Sequence, residues 1–227
     1  MTQNTAQFDS LMERKYVRDL ARANAERAVV LIGSWARRTR TSPTSDVDLL
    51  VLDTTAPEAS LSNVQVLTIA PDDFNRRASR GDELAQWALR FGVPLSGARL
   101  WRRLKRDLLS DSPWPSPKVQ IERAAKRLRG AEALCDMGDY QAAAAEVRLA
   151  LSHLARAELL GRGVFPLSRP ELPRQLAAVG DEELADALGR SIDYQMPDEE
   201  LRDSFSLLAG RLAQSKPSIA HAVTVAR

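Results

Sequence analysis

Apolar positions in the first half of the chain fall either into short runs or into helical spacing. Three short runs are apolar or β-branched and are bounded by turn residues, which is typical of buried strands. They cover residues 28–32, 46–52 and 64–69. Helical spacing predicts helices over residues 7–25 and 82–91, the second of them opened by Gly81 and Asp82 and closed by Gly92. The first half is therefore predicted to be a small sheet with helices packed on it.

The pattern changes at the stretch SDSPWPSP, residues 110–117, where three prolines occupy five positions. Because proline cannot continue a helix or a central strand, residues 111–117 are predicted to be a linker. Beyond it, Ala-, Leu- and Arg-rich segments keep helical spacing and are joined by short connections, which favours an antiparallel bundle. These segments cover residues 118–135, 140–160, 169–178, 181–192 and 198–213, and a short strand pattern follows at 223–225.

These patterns predict an α+β protein with two domains. Residues 1–110 are expected to form a small mixed-sheet domain, and residues 118–227 an all-α helical bundle. With 227 residues, of which 44% are hydrophobic, the chain can build a core in each. The first residues, MTQNTAQFDSLMERKY, lack the apolar core of a signal peptide, and no stretch approaches the roughly 18 apolar residues of a membrane helix. We expect a cytoplasmic protein that does not contact a membrane.

Cysteine and histidine are scarce. The chain has one cysteine, Cys135, and two histidines, His153 and His221. This composition excludes an internal disulfide and a zinc site built from Cys and His. Any metal ion is expected to be held by oxygen ligands.

Two carboxylates open the second predicted strand. Side chains alternate between the faces of a strand, so Asp46 and Asp48 are expected to share one face while Val47 points to the other. Two like charges at this distance raise each other's pKa unless a cation lies between them. Carboxylate oxygens together with substrate phosphates are the usual ligands of Mg²⁺ in phosphoryl-transfer sites. The pair predicts a site for Mg²⁺ or Mn²⁺.

A glycine and a serine close the first predicted strand. Gly33 lets the backbone approach a phosphate, and Ser34 can add its hydroxyl. The amides at the start of a helix predicted over residues 35–40 would add further donors to an anion. A phosphate cradle beside a metal-binding carboxylate pair predicts a site for a metal-bound nucleoside triphosphate.

These motifs resemble a known family. Gly33-Ser34 followed by Asp46-Val47-Asp48 is similar to the G-[G/S] and [D/E]-hydrophobic-[D/E] signature of the DNA polymerase beta-like nucleotidyltransferase superfamily. The run SDVDL, residues 45–49, is close to the S-D-x-D-L of its small bacterial members. Residues 63–74 and the segment FGVPLSG, residues 91–97, match the region of its third strand and a G-x-P-L-x-G segment. The resemblance covers about residues 26–97. Beyond the linker it is limited to a helical bundle of the kanamycin nucleotidyltransferase-like or HEPN-related kind.

The resemblance implies an activity and roles for these residues. A nucleoside monophosphate would pass from Mg-NTP, with ATP the expected nucleotide, to an acceptor, and pyrophosphate would be released. Asp46 and Asp48 would hold the metal as the catalytic pair, and Gly33 and Ser34 would orient the triphosphate. The acceptor, whether a small molecule, an RNA or a protein, is left open.

The sequence departs from the family pattern at two positions. Arg38 replaces a common glycine, which is a minor change, and Gln65 stands where the family usually has a third acidic residue. An amide oxygen can bind a metal, but it cannot take a proton from an acceptor hydroxyl. This favours, as the alternative, a catalytically weakened nucleotide-binding pseudoenzyme or an antitoxin-like regulatory module. If the wild type is active, Asp53, Asp72 or an acid of the helical half would be the base.

Three other patterns admit a functional and a structural interpretation. The basic run at residues 99–106 is either a polyanion contact or the solvated face of a helix whose Leu100, Trp101 and Leu104 point inward. Arg148 and His153 have the R-x4-H spacing of HEPN ribonucleases, although residues five apart lie about 140° apart around a helix. The acidic stretches 181–183 and 198–200 suit either a cationic acceptor or helix starts that favour acids.

Overall fold

The fold was analysed in a computed structural model, which describes residues 15–24, 26–37, 46–55, 60–61, 64–110, 112–193 and 196–215. The chain divides into two compact units, residues 1–115 and residues 116–227. The first contains a mixed sheet and the second is helical throughout its described part, so the predicted α+β class is confirmed. Residues 112–116, within the predicted linker, have no regular secondary structure.

The first unit alternates helices with strands. Its helices are α1 (Lys15–Ala23), α2 (Gly33–Arg37), α3 (Pro71–Ser79), α4 (Glu83–Phe91) and α5 (Ala98–Leu109). Its strands are β1 (Ala28–Ile32), β2 (Val47–Leu52), β3 (Ser60–Leu61), β4 (Val64–Ile69) and β5 (Val93–Ser96). The strand order is β3-β4-β2-β1-β5, in which β2 and β4 run parallel and the other neighbours run antiparallel.

The sheet is covered on both faces. Alternate residues of β1, β2 and β4 pack against α3, α4 and α5 in one core, which contains Val30, Leu50, Phe74 and Trp101. The residues between them pack against α1 and α2 in a second core. Burial on both faces explains why β1 and residues 49–52 of β2 form continuous apolar runs and do not alternate with polar residues.

Several predicted boundaries shift. The first helix begins at Lys15 among the described residues and ends at Ala23, while residues 7–14 and 25 of its predicted range lie outside the described part. The helix predicted over 35–40 begins at Gly33 instead, and residues 38–40 are outside the described part. The second strand begins at Val47, so Asp46 precedes it.

Helix α3, strand β5 and the two-residue strand β3 escaped the sequence pattern. Helix α3 buries only Phe74 and Ala78, so its apolar stripe is too thin to stand out. Strand β5 contains Pro94 and lies at the edge of the sheet beside β1, where a missing N–H costs no ladder bond.

The second unit is built around one long helix. Its helices are α6 (Pro117–Asp136), α7 (Tyr140–Gly161), α8 (Leu172–Ala178), α9 (Glu182–Asp193) and α10 (Asp198–Gln214), with a 3₁₀ turn at Arg169–Glu171 before α8. Helix α7 packs against α6, α8, α9 and α10. The predicted segment 169–178 is therefore divided into a 3₁₀ turn and a helix.

The strand pattern at 223–225 and His221 lie outside the described residues. Within the described ranges no helix is both long enough and apolar enough to cross a membrane.

Candidate active site

Gly33 and Asp48 lie in contact at one end of the sheet. Asp48 faces Ile32 in the β1–β2 register, and Gly33 follows Ile32 directly. A β-carbon at Gly33 would lie 2.3 Å from Asp48 Oδ2, and the backbone of Gly33 has φ 73°. Both the left-handed backbone and the close carboxylate therefore require glycine here. The glycine predicted to admit a phosphate is the one against which Asp48 packs.

Asp46 and Asp48 influence each other electrostatically. Asp48 is partly buried, and burial followed by the negative charge of Asp46 raises the pKa of its carboxyl. Asp46 is exposed and immediately precedes β2, so the predicted sharing of one strand face by Asp46 and Asp48 stays a prediction. The two carboxylates nevertheless lie close enough to interact.

Gln65 lies beside Asp48 on the neighbouring strand. In the parallel β2–β4 register Asp48 pairs with Gln65, and the core on this face of the sheet contains Ile69 with Leu67 packed against it. Gln65 therefore shares a face with Leu67 and Ile69, as its strand position predicted, and that face abuts Asp48. The site combines two interacting carboxylates with one amide in register with Asp48.

A cavity of about 460 Å³ opens next to these groups. Gly33, Asp48 and Gln65 supply its polar lining, and much of the remaining wall is apolar, including Leu84 and Trp87 of α4. The Trp87 ring packs on the Phe91 ring, with the ring centroids 5.0 Å apart. The Arg37 guanidinium lies over the Phe91 ring, 5.1 Å from its centroid. Sequence reasoning missed Trp87 because its spacing to Leu84 and Phe91 is that of an ordinary core stripe.

Ser34 is partly exposed and is the second residue of α2. Helix α2 has only five residues, so its dipole adds little at this end. Any anion contact from this segment would rely on the Ser34 hydroxyl and on nearby amides.

Asp53 and Asp72 lie away from this site. Asp53 follows the far end of β2, about 16 Å from Asp48 at the rise of a strand. It forms an ion pair with Arg27 and accepts hydrogen bonds from Thr54 N at 2.7 Å and Thr55 Oγ1 at 3.2 Å. Asp72 is in the first turn of α3, which follows the same far end of β4. Neither carboxylate is placed to act as a base at Asp48.

The basic run lies on α5, where Trp101 is buried and the arginines are exposed. Leu100 and Leu104 are partly buried against the same core, so the helix-face interpretation fits.

Arg148 and His153 contact different helices. Arg148 Nε donates to the carbonyl of Ser191 on α9, whereas His153 Nδ1 lies 2.8 Å from Gln120 Oε1 on α6. The structure does not bring the two side chains together into one catalytic pair.

Asp181 and Glu183 are engaged within the helical unit. Arg211 Nη2 lies 3.1 Å from Asp181 Oδ1 and 2.7 Å from Glu183 Oε2. In the second stretch, Glu200 lies 3.7 Å from Arg190. These contacts give Asp181, Glu183 and Glu200 structural partners.

Within the part of the chain that the structure describes, no group of three or more His, Cys, Asp or Glu side chains could hold a metal ion. A metal at this end of the sheet would have to use the two aspartates, with the Gln65 amide oxygen or a substrate as further ligands.

Comparisons with known proteins give limited further information. No protein-family model matches the chain. No curated protein sequence matches it either. Among solved structures, a nucleotidyltransferase-like protein from Exiguobacterium sibiricum 255-15 is similar, with 17% sequence identity and a TM-score of 0.47. That alignment covers 91% of this chain and 75% of the other. A likeness of this degree does not define the function of the chain.

Proposed function

We propose that the chain is a nucleotidyltransferase that moves a nucleoside monophosphate from an NTP, ATP in the first instance, to an acceptor. The observation that supports this most directly is the packing of the Asp48 carboxylate against Gly33, with the charge of Asp46 beside it. A carboxylate held against a glycine turn at the end of a strand brings a metal ligand next to backbone that a phosphate can approach.

The residues present fit a divalent metal. The donors are hard carboxylate oxygens. Burial and the charge of Asp46 raise the pKa of Asp48, which means that its charged form is disfavoured. A bound cation would stabilise that charged form. Asp46 and Asp48 would hold Mg²⁺ or Mn²⁺. When bound, such an ion would neutralise charge on the triphosphate and polarise the α-phosphoryl group.

The protein groups would position the substrate. Gly33 and Ser34 would orient the triphosphate so that an acceptor hydroxyl lies in line with the α-phosphorus. The new bond joins the acceptor oxygen to that phosphorus, and the bond to the bridging oxygen of the β-phosphate breaks, so pyrophosphate leaves. The acceptor proton must pass to a base, and the Gln65 amide cannot accept it.

The proposal can be tested by labelling. The purified protein is incubated with each NTP labelled at the α-phosphate, with Mg²⁺ or Mn²⁺, in a cell extract from which the acceptor can come. We expect one product to become labelled, and Asp48→Asn to remove the label while Asp53→Asn, at the far end of β2, retains it. Equal labelling by wild type and Asp48→Asn would disprove the assignment.

A second candidate function is a nucleotide-binding protein with weak or no transfer, such as an antitoxin-like regulatory module. It is favoured by Gln65, which lies in register with Asp48 where a third carboxylate would complete the site. Under this candidate Gln65→Glu raises the transfer rate with little change in NTP affinity. Fast transfer by the wild type, or no gain from the substitution, would reject it.

A further inference from the structure

The cavity beside Asp48 is lined by both polar and apolar residues. Asp48 and Gln65 are polar, whereas Leu67, Leu84 and Trp87 present apolar surface. Among the residues that the structure describes, no lysine or arginine contributes to this lining. A triphosphate is therefore poorly matched to the apolar part, because its charges would lose water without gaining a cation there.

The apolar part suits a flat ring. A volume of about 460 Å³ lies within the usual range of small-molecule sites, which is about 300–1,000 Å³. Trp87 offers an indole surface, and such surfaces stack on nucleobases regardless of base identity.

Trp87 is also held in place. Its ring packs on Phe91 at 5.0 Å between centroids, and Arg37 lies over Phe91 at 5.1 Å. Arg37 ends α2, the helix that begins at Gly33. Helix α2, which begins at Gly33, thus contacts helix α4, which carries Trp87. Pre-positioned rings lose little freedom when a ligand stacks on them.

We propose that this cavity holds the nucleobase of the NTP, stacked on Trp87, while the phosphates lie at the Gly33 and Asp48 end. This inference rests on the proposed function, since it places one part of the same substrate. Trp87 is then a binding residue that contacts the nucleobase of the NTP and not its phosphates.

The test compares a nucleoside triphosphate with the triphosphate chain alone. Binding of Mg-ATP and of Mg-tripolyphosphate is measured by calorimetry for the wild type, Trp87→Leu, Trp87→Phe and Trp114→Leu. Trp114 is 43% exposed, does not line the cavity and serves as the matched control. Thermal unfolding of each variant confirms that it is folded.

The expected result is specific to the ring. Wild type binds Mg-ATP more tightly than Mg-tripolyphosphate, and Trp87→Leu weakens Mg-ATP about tenfold while changing Mg-tripolyphosphate less than about twofold. Trp87→Phe, which keeps an aromatic surface, recovers most of the affinity even if the leucine variant folds poorly. Trp114→Leu binds both ligands as the wild type does.

Two results would overturn the inference, and they are distinguishable. Equal affinity of the wild type for the two ligands, or an unchanged Mg-ATP affinity in Trp87→Leu, rejects the base site and leaves the proposed function standing. Failure of the wild type to bind either ligand rejects the proposed function together with the base site.

Discussion

Gly33 and Asp48 constrain each other at the scale of single residues. The glycine adopts a left-handed backbone and leaves room for the carboxylate, so one substitution there disturbs both backbone and site. Gly138 has a similar φ of 79° but nothing within 4 Å of an added β-carbon. Substitution of Gly138 therefore measures the cost of backbone strain alone, and substitution of Gly33 measures that cost together with the contact with Asp48.

We predict that Gly138→Ala lowers the free energy of unfolding by about 1–2 kcal/mol, the cost of a left-handed alanine. Gly33→Ala should lose more than this, because its new methyl would also displace the Asp48 carboxylate. Chemical denaturation measures both variants. Equal losses would show that the contact with Asp48 contributes nothing.

Asp48 is destabilising when it is ionised without a cation. Burial and the charge of Asp46 raise its pKa, so its charged form is disfavoured in the folded protein relative to the unfolded chain. In EDTA at neutral pH we predict that Asp48→Asn raises the melting temperature. Asp46→Asn, which removes only the charge repulsion, should raise it less. A fall in melting temperature for Asp48→Asn would contradict the burial and repulsion argument.

Strand β2 carries a second carboxylate with the opposite behaviour at its far end. Slight desolvation raises the pKa of Asp53, but hydrogen bonds from Thr54 and Thr55 and the charge of Arg27 lower it further, so the net shift is downward. Its ionised form therefore stabilises the fold above the ordinary carboxyl pKa, and this contribution is lost as pH falls through the lowered value.

We accordingly predict that Asp53→Asn lowers stability at pH 7 and that its deficit shrinks only in acid, below the carboxyl's ordinary pKa of 3.8. Denaturation curves across this pH range check it. Asp107→Asn, which removes an equal charge from an exposed ion pair on α5, is the control and should have little effect. A deficit that is the same at all pH values would refute the electrostatic account.

At the scale of elements, burial decides what the sequence could predict. Strand β1 has the predicted bounds because both of its faces are buried, which leaves a continuous apolar run. Strand β4 has its predicted bounds as well, although Gln65 interrupts its apolar run. Helix α3 and strand β5 were missed because the first buries only two side chains and the second is a short edge strand with a proline. Local patterns are weak wherever tertiary packing supplies most of the order.

The same reasoning separates the predictable part of the site from the rest. Gly33 and Asp48 stand at the ends of predicted strands, whereas Gln65 was assigned to the site through the family resemblance, and the observed register places it beside Asp48. Trp87 could not be predicted as a site residue, because the sequence alone does not show that the apolar face of its helix lines a cavity as well as a core. The hydrophobic pattern of a single sequence does not give the order of the strands in the sheet, and this order decides which side chains become neighbours.

At the scale of the whole molecule, the chain divides after Pro115, within residues 112–116, which have no regular structure. Trp114 of that segment contacts helix α4, since the Arg90 guanidinium lies 5.4 Å from the centre of the Trp114 ring. We predict that a protease of broad specificity first cuts at or near residues 110–117. Trp114→Ala should speed this cut by releasing the segment. A first cut within residues 118–160 would count against a separately folded helical unit.

The central claim is that Asp46 and Asp48 hold a metal-bound nucleoside triphosphate, and ligand-induced thermal stabilisation tests it most directly. A ligand that binds only the folded state stabilises it by about 2.7 kcal/mol at a hundred times its dissociation constant. We predict that Mg-ATP raises the melting temperature of the wild type and of Asp53→Asn. Each variant is compared with its own ligand-free melting temperature, and the rise should be absent in Asp46→Asn and Asp48→Asn. A rise in Asp48→Asn equal to that of the wild type would contradict the claim.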